Sequence, residues 1–281
     1  MKLQSAMEYL MTYGWAILII AIVMVALFSL GVFNPVTFAP KAQPGSCSVN
    51  RNSYGGAVLS GVCDGEIPEY VGAFSNGAYI FNSSPTLPVS QPVTITAWIN
   101  PQQPSSTQGI ASWGTPSCGG DVYALYLQSD DMPAAGVGCP GVNPANAPTV
   151  NPNSWNFVAI VIGSSGVNFY VDNKNPAFTS AVVGSVSSVN FSIGISNYHL
   201  GGGLNYNGEI SNVQIYNTSL SPNSIDSLYS EGIGGAPIDL ENLVGWWPLN
   251  GNANDYSGNG NNGQAFNVIY TSGWYSSYSQ P

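Results

Sequence analysis

Apolar residues follow two different patterns along this chain. No charged residue occurs from Tyr9 to Pro40, and the stretch from Trp15 to Phe33 is almost continuously apolar. At 1.5 Å per residue, such a helix is long enough to cross the roughly 30 Å hydrocarbon layer of a membrane. Prolines in residues 34–45 stop the helix and favour an extended connector. The pattern therefore predicts an apolar helix over residues 4–33 and a separate domain over residues 46–281.

Beyond the connector, short stretches rich in Val, Ile, Tyr, Phe and Thr alternate with clusters of Gly, Pro, Asn and Ser. This spacing is typical of an all-β head, an antiparallel β-sandwich. In VTITAWIN, residues 93–100, side chains alternate between a core face that begins with Val93 and an opposite face that includes Trp98. Ser221, Pro222 and the following residues to Ser230 predict one short helix. The predicted strands are Ala78–Phe81, Val93–Asn100, Gly109–Gly114, Tyr123–Gln128, Trp155–Ile162, Val167–Asp172, Phe191–Ile195, Gly208–Tyr216 and Gly245–Leu249.

Charged residues make up 6% of the chain, against about 25% in an ordinary soluble protein. Four basic residues stand against fourteen acidic ones, which gives a net charge of −10. Because Lys and Arg grip phosphate backbones, this balance excludes nucleic acid as an expected partner.

The four cysteines are Cys47, Cys63, Cys118 and Cys139, and the chain has a single histidine, His199. Zinc chemistry therefore has too few ligands, and disulfides are the better interpretation. Of the three pairings, the two short loops favour Cys47 with Cys63 and Cys118 with Cys139. Disulfides place the head in an oxidising or extracellular compartment.

An acidic residue lies just before the apolar run, because Glu8 follows Gln4 by four residues. A carboxylate there favours a cationic partner. A cut between Leu3 and Gln4 would release an α-amino group for Glu8 of the same or a neighbouring subunit.

The segment MKLQSAMEYLMTYGWAILIIAIV resembles the class III signal peptide of archaeal type IV pilin-like proteins. The resemblance implies that a prepilin peptidase removes residues 1–3 as a leader. It also implies that the helix first anchors the chain in the membrane and then packs among other pilin-like subunits in a filament. An uncleaved signal anchor, with Lys2 on the inner side, is the alternative.

Three fragments of the head together resemble the laminin G-like, concanavalin A-like jelly roll. They are VTITAWINP, WNFVAIVI followed by VNFYVDNKNP, and GEISNVQIYNTSLSPNSIDSLYSEG, in the order that is typical of that family. A further segment, LVGWWPLNGNANDYSGNGNNG at 243–263, resembles the family's opening strand but lies near the C-terminus. It begins a truncated second domain or, as we predict, residues 243–270 fill the first-strand position of one circularly permuted sandwich.

Candidate ligand-binding residues are few. Oxygen-bearing side chains cluster in the 250–262 loop and at Asp130 and Asp131, and such hard donors suit calcium. Family members often carry calcium near such loops. The alternative is that Asn and Gly only supply turn geometry. The candidate calcium ligands are Asn252, Asn254, Asp255 and Asn259.

Other candidate sites carry weaker signals. His199 has no acidic residue nearby in sequence, and Glu209 lies in the fold-specific GEI segment, so neither predicts catalysis. The tryptophans Trp98, Trp113, Trp246 and Trp247 are expected to fill the core rather than to form a sugar-stacking platform. The N-x-S/T triplets at Asn82, Asn190 and Asn217 are candidate glycosylation sites.

These observations predict a non-enzymatic protein held at the cell membrane by its helix, with an extracellular head. The favoured function is that of a pilin-like subunit or minor pilin whose lectin-like head binds a glycan or a surface. A membrane-anchored lectin or receptor that does not polymerise is the alternative. An extracellular polysaccharide hydrolase is the third.

Overall fold

A computed structural model describes residues 2–29, 32, 38–102, 106–115, 122–137, 142–144, 146–181, 184–196 and 204–281, without the side chains of residues 2–12, 122 and 137. The chain divides into two compact units, Met1–Ala39 and Pro40–Pro281. We call the second unit the head. An all-β head with one N-terminal helix confirms the predicted fold class.

The N-terminal unit contains helix α1 (Lys2–Ser29), which is 28 residues long. Its side chains from Tyr13 to Phe28 include exposed Trp15, Ile17 and Phe28. Within the described residues, no helix has both the length and the apolar character that crossing a membrane requires.

The described residues of the head form mainly strands, together with the α-helix α2 (Pro222–Glu231) and a 3₁₀ helix (Trp274–Ser277). The strands are β1 (Lys41–Ala42), β2 (Cys47–Arg51), β3 (Ala57–Gly61), β4 (Ile67–Pro68), β5 (Val71–Phe74), β6 (Tyr79–Asn82), β7 (Val93–Pro101), β8 (Gln108–Gly114), β9 (Val122–Leu127), β10 (Pro133–Val137), β11 (Asn156–Gly163), β12 (Gly166–Val171), β13 (Ala177–Thr179), β14 (Phe191–Ile193), β15 (Gly208–Tyr216), β16 (Leu243–Trp247), β17 (Gln264–Phe266) and β18 (Ile269–Thr271).

Two sheets form the sandwich. The larger has the order β13-β12-β11-β7-β15-β5-β18, with β16 also paired to β15, and the smaller has the order β10-β9-β8-β14-β6-β17. Side chains from both sheets meet in one core, whose buried members run from Phe74 to Ala253 along the chain. Because this core is built entirely from the head, the head contains what an independently folding domain needs.

Strand β7 shows the predicted alternation. Val93, Ile95, Ala97 and Ile99 belong to the core between the sheets. Trp98, on the opposite face, stacks on Tyr229 of α2 with ring centroids 6.0 Å apart. The outer face of the larger sheet is thus covered at this point by α2.

Helix α2 confirms the predicted short helix. The Ser221 hydroxyl accepts a 3.1 Å hydrogen bond from the backbone N–H of Ser224, which satisfies a donor of the first turn. Ile225 and Leu228 are buried. The helix ends at Gly232, where a backbone φ of 79° favours glycine.

The C-terminal segment contributes to both sheets of the same sandwich. Strand β16 pairs with β15 and β18 pairs with β5 in the larger sheet. Strand β17 pairs with β6 in the smaller sheet. Trp247, at the end of β16, lies in the core and stacks on Phe191 with centroids 4.3 Å apart. The segment that resembles an opening strand therefore lies within the one sandwich.

A two-stranded sheet of β2 and β3 stands apart from the sandwich sheets. The Cys47–Cys63 disulfide closes it, as the sequence predicted. We call residues 47–63 the disulfide hairpin. Cys118 and Cys139 lie outside the described residues, so the second predicted disulfide stays a prediction.

Candidate functional site

A polar cleft opens where β7 ends and β15 begins. Asn100 and Glu209 are directly opposite residues in this antiparallel pair. Their neighbours Ile99 and Ile210 point into the core, so Asn100 and Glu209 lie on the outer face of the larger sheet. They line a cavity of about 320 Å³ together with Ala73, Phe74, Ser75, Gln102, Asn153 and Gly208.

Gly208 allows the two strands to approach at the base of the cleft. Its φ is 145°, and an added Cβ would lie 2.3 Å from the backbone oxygen of Asn100. Any other residue would push β15 away from β7. The glycine before Glu209 therefore helps to fix the position of the carboxylate.

Glu209 is the only acidic residue that lines the described cleft. Its Oε2 accepts a 2.9 Å hydrogen bond from Asn100 Nδ2, and its Oε1 accepts a 3.4 Å bond from the Thr271 hydroxyl. Burial raises the pKa of the Glu209 carboxyl, and these two hydrogen bonds oppose that shift by favouring the charged form. No lysine or arginine lines the described cleft.

Side-chain amides surround the carboxylate. Asn100 Nδ2 also donates to the Ser277 hydroxyl at 3.1 Å. Gln102 Oε1 accepts a 2.9 Å bond from Asn207 Nδ2. Asn153 adds a third amide, with a left-handed backbone φ of 58°. Amides both donate and accept, so this lining suits a ligand with many hydroxyl groups.

Apolar residues flank the cleft. The Phe74 ring itself is buried in the core, where it meets Tyr206 edge to face with ring centroids 6.4 Å apart. Ala73 lines the cleft, and Ile269 of the neighbouring edge strand β18 is its direct partner and is exposed. Amides beside apolar surface match the two kinds of face that a sugar ring presents.

The predicted calcium loop is held by its own hydrogen bonds. Asp255 Oδ1 accepts from the backbone N–H groups of Trp246 and Ser257 at 2.9 and 2.8 Å, and Oδ2 accepts from that of Asn261 at 2.8 Å. Asn259 directs its amide nitrogen to the backbone oxygens of Leu243 and Val244, both at 3.1 Å.

The remaining candidate ligands behave similarly. Asn252 Oδ1 accepts from the backbone N–H of Asn254, a residue whose side chain is exposed. Within the described residues, no group of three or more His, Cys, Asp or Glu side chains is placed to hold a metal ion. The oxygens of Asp255 and Asn252 thus accept hydrogen bonds from the loop backbone. Calcium stays a prediction from the sequence.

The other predicted sites have different outcomes. All four tryptophans, Trp98, Trp113, Trp246 and Trp247, are buried, which confirms their expected core role. Asn217 is exposed, and Asn82 and Asn190 are half-buried. Asp130 Oδ1 accepts from the backbone N–H of Met132 at 3.3 Å. His199 and the side chains of Leu3, Gln4 and Glu8 lie outside the described residues.

Sequence reasoning missed the cleft. It assigned Glu209 a structural role and did not single out Asn100, Gln102 or Asn153. The one available signal was the alternation in VTITAWIN, which places Asn100 on the face opposite the core.

The chain is similar to known proteins mainly through its head. Residues 74–226 match the family described as the concanavalin A-like lectin/glucanases superfamily. No curated protein matches the chain in sequence.

Solved structures share the fold at low identity. A putative carbohydrate binding protein from Bacteroides ovatus has a TM-score of 0.57 at 18% identity, over 77% of this chain and 63% of that one. The chain thus spans less than two thirds of that protein. A heptameric SAP-like pentraxin from Limulus polyphemus has a TM-score of 0.54 at 17% identity, over 74% of this chain and 96% of that one. At these identities the likeness shows the fold alone.

Proposed function

The chain belongs to the concanavalin A-like lectin/glucanases superfamily, and we propose that its head is a lectin-like, glycan-binding module displayed at the cell surface. The observation that carries the proposal is the polar cleft beside Glu209. It combines amide groups and one carboxylate in a cavity of about 320 Å³, and the exposed Ile269 lies on the neighbouring strand. A similar fold occurs in the Bacteroides ovatus protein, whose description names carbohydrate binding.

The charge of the cleft favours a neutral glycan. Glu209 lines it without a lysine or arginine among the described lining residues, and the chain as a whole carries a net charge of −10. A sugar acid would be repelled by the Glu209 carboxylate and by the overall charge. Neutral hydroxyl groups instead match the amides of Asn100, Gln102 and Asn153.

Binding is favoured over hydrolysis because the described cleft contains one acidic residue. Glycoside hydrolysis by the common mechanisms uses two carboxyl groups about 5 to 10 Å apart. Glu209 has only neutral hydrogen-bond partners, Asn100 and Thr271. Incubation of the head with a bound glycan should therefore return the glycan uncut.

Glycan-array binding by the head tests the proposal. Gln102→Ala and Asn153→Gly each remove one amide, and the glycine keeps the left-handed backbone at position 153. We expect each variant to bind about two- to tenfold more weakly, the effect of one hydrogen bond. Asn223→Ala, which removes an exposed amide on α2, is the matched control. Equal binding by all variants would place the glycan site elsewhere.

We propose further that the N-terminal helix is pilin-like. Trp15, Ile17 and Phe28 are exposed along α1, and an apolar surface of this kind favours lipid or neighbouring helices over water. In this proposal a prepilin peptidase cuts between Leu3 and Gln4, and the helix then packs among other subunits, with Glu8 near a released α-amino group.

The mature N-terminus distinguishes assembly from a permanent anchor. Mass spectrometry of the native protein should find a chain that starts at Gln4, and Glu8→Gln should reduce filament assembly. An intact Met1 on all molecules would instead support the non-polymerising, membrane-anchored lectin.

A further inference from the structure

The disulfide hairpin presents an unusual concentration of exposed apolar side chains. Seven large apolar side chains are exposed in the described part of the head, and four of them lie within residues 54–62. The four are Tyr54, Val58, Leu59 and Val62, and the other three are Val89, Phe178 and Ile269. Clustered apolar exposure of this kind marks interaction surfaces.

Hydrogen bonds from β2 hold the hairpin to the rest of the head. The backbone N–H of Val49 donates to the Tyr256 oxygen at 2.8 Å. The Arg51 guanidinium donates to the backbone oxygens of Ser257 and Leu240, both at 3.0 Å. Together with the Cys47–Cys63 disulfide, these contacts fix β2 and leave β3 on the outer side.

Strand β3 has an open hydrogen-bonding edge. The backbone N–H of Asn52 donates to the Gly56 oxygen, and that of Val62 donates to the Ser46 oxygen. With the register of the two strands, these bonds show that Ser48–Ser60 and Asn50–Val58 are the hydrogen-bonded pairs between β2 and β3. In antiparallel sheets these pairs alternate with non-bonded ones, so Ala57, Leu59 and Gly61 direct their N–H and C=O groups away from β2. Within the described residues, β3 pairs with no strand except β2.

The charge pattern indicates what fits this edge. Residues 52–63 carry no charge, whereas the chain as a whole carries −10. Two copies of an acidic chain repel one another where their acidic surfaces meet. At this neutral segment, they can approach without that repulsion. An exposed, uncharged apolar edge without proline or lysine is well suited to pairing with another strand.

We propose that two copies of this chain associate through their β3 edges, as an antiparallel pair centred on Leu59. In this arrangement Leu59 lies opposite Leu59 of the partner subunit, and the open backbone groups bond to one another. The two hairpins then form one four-stranded sheet, in which the Leu59 side chains of the two copies are direct cross-strand neighbours.

Charge substitution at Leu59 tests the pairing. Sedimentation of the head, which contains its own core, should show a monomer–dimer equilibrium for the wild type. Leu59→Lys and Leu59→Glu each place like charges opposite one another at the two-fold axis. We expect either variant alone to raise the dissociation constant by about tenfold or more.

A mixture of the two variants provides the most specific test of the pairing. Opposite charges then face one another, so Leu59→Lys mixed with Leu59→Glu should restore association. Ile269→Lys is the control, because it adds the same charge at an exposed apolar strand residue outside the hairpin. It should dimerise like the wild type.

Three results would overturn the proposal: a wild-type head that stays monomeric at all concentrations, dimers unaffected by Leu59→Lys, or no association in the mixture. Binding of the monomeric head to phosphatidylcholine vesicles would assign the apolar cluster to lipid instead. Disulfide cross-linking of Leu59→Cys in the full chain, in detergent, extends the test beyond the head.

Discussion

Asn100 Nδ2 donates a 2.9 Å hydrogen bond to Glu209 Oε2 across the β7–β15 pair, although the two residues are 109 positions apart in sequence. The bond fixes a half-buried carboxylate beside the candidate glycan site. Because burial raises the pKa of Glu209 despite this bond, the charged carboxylate is less favourable in the folded head than in the unfolded chain.

The first prediction concerns stability against pH. A raised folded-state pKa means that the folded head holds the proton of Glu209 more tightly than the unfolded chain does. The contribution of Glu209 to stability is therefore greatest below the ordinary pKa of 4.5, and it is lost as the pH rises through the raised folded-state pKa. Glu209→Gln removes this contribution, so its melting temperature should fall less over the same range.

The matched control for this prediction is Glu231→Gln, which removes an exposed carboxylate at the end of α2. Asp172 also has a raised pKa, because of burial, so some pH dependence of the same sign should remain in Glu209→Gln. Identical pH profiles for the wild type and Glu209→Gln would show that the Glu209 carboxyl titrates alike in folded and unfolded chains.

The second prediction concerns Arg51, which joins the disulfide hairpin to the C-terminal segment. Its guanidinium donates to the backbone oxygens of Ser257 and Leu240 at 3.0 Å, and to that of Leu243. Arg51→Ala leaves these carbonyls without this donor and should lower the free energy of unfolding by about 2 to 3 kcal/mol in urea denaturation. Arg51→Lys keeps the charge but not the several N–H donors of the guanidinium, so its free energy of unfolding should lie between those of the wild type and Arg51→Ala. A change below about 0.5 kcal/mol in Arg51→Ala would contradict the structural role.

The strands that the sequence predicted are those with strong side-chain alternation. VTITAWIN alternates without interruption and became β7 (Val93–Pro101). Helix α2 was predicted because Ser221 and Pro222 mark its start. In contrast, β10 (Pro133–Val137) reads PAAGV, and Pro, Ala and Gly are poor strand formers that give no such signal.

Features that depend on long-range pairing were not predictable. The short loop predicted the disulfide, but the sequence did not predict strand β3, which the disulfide closes. Strand β3 exposes most of its side chains and so lacks the apolar alternation of a half-buried strand. The cleft depends on the register that places Asn100 opposite Glu209. No local pattern in either segment specifies that register.

The third prediction concerns the 250–262 loop. Asp255 accepts three backbone N–H bonds, so Asp255→Ala should lower the free energy of unfolding by about 3 kcal/mol without added metal. The exposed neighbour Asn254 provides the control, and Asn254→Ala should change little. Melting with calcium and with a chelator completes the measurement. We expect equal wild-type melting temperatures, whereas a calcium-dependent rise abolished by Asp255→Ala would support the cation site that the sequence predicted.

The fourth prediction concerns Trp247, which joins the C-terminal segment to the smaller sheet. It is fully buried, stacks on Phe191 at 4.3 Å and donates from Nε1 to the Asn261 oxygen at 3.1 Å. Trp247→Ala should therefore lower the free energy of unfolding by about 3 to 5 kcal/mol. Phe178→Ala, which truncates an exposed aromatic side chain on β13, should cost far less.

Deletion of residues 243–281 extends the same argument from one side chain to three strands. It removes β16 and β18 from the larger sheet and β17 from the smaller one, and leaves core residues such as Phe191 without their cover. Because a domain of this kind has a total stability of only about 5 to 15 kcal/mol, the shortened head should not fold. Circular dichroism melting measures this directly. A cooperative transition at the wild-type temperature in the shortened head would mean that the C-terminal strands are accessory to a sandwich that is complete without them.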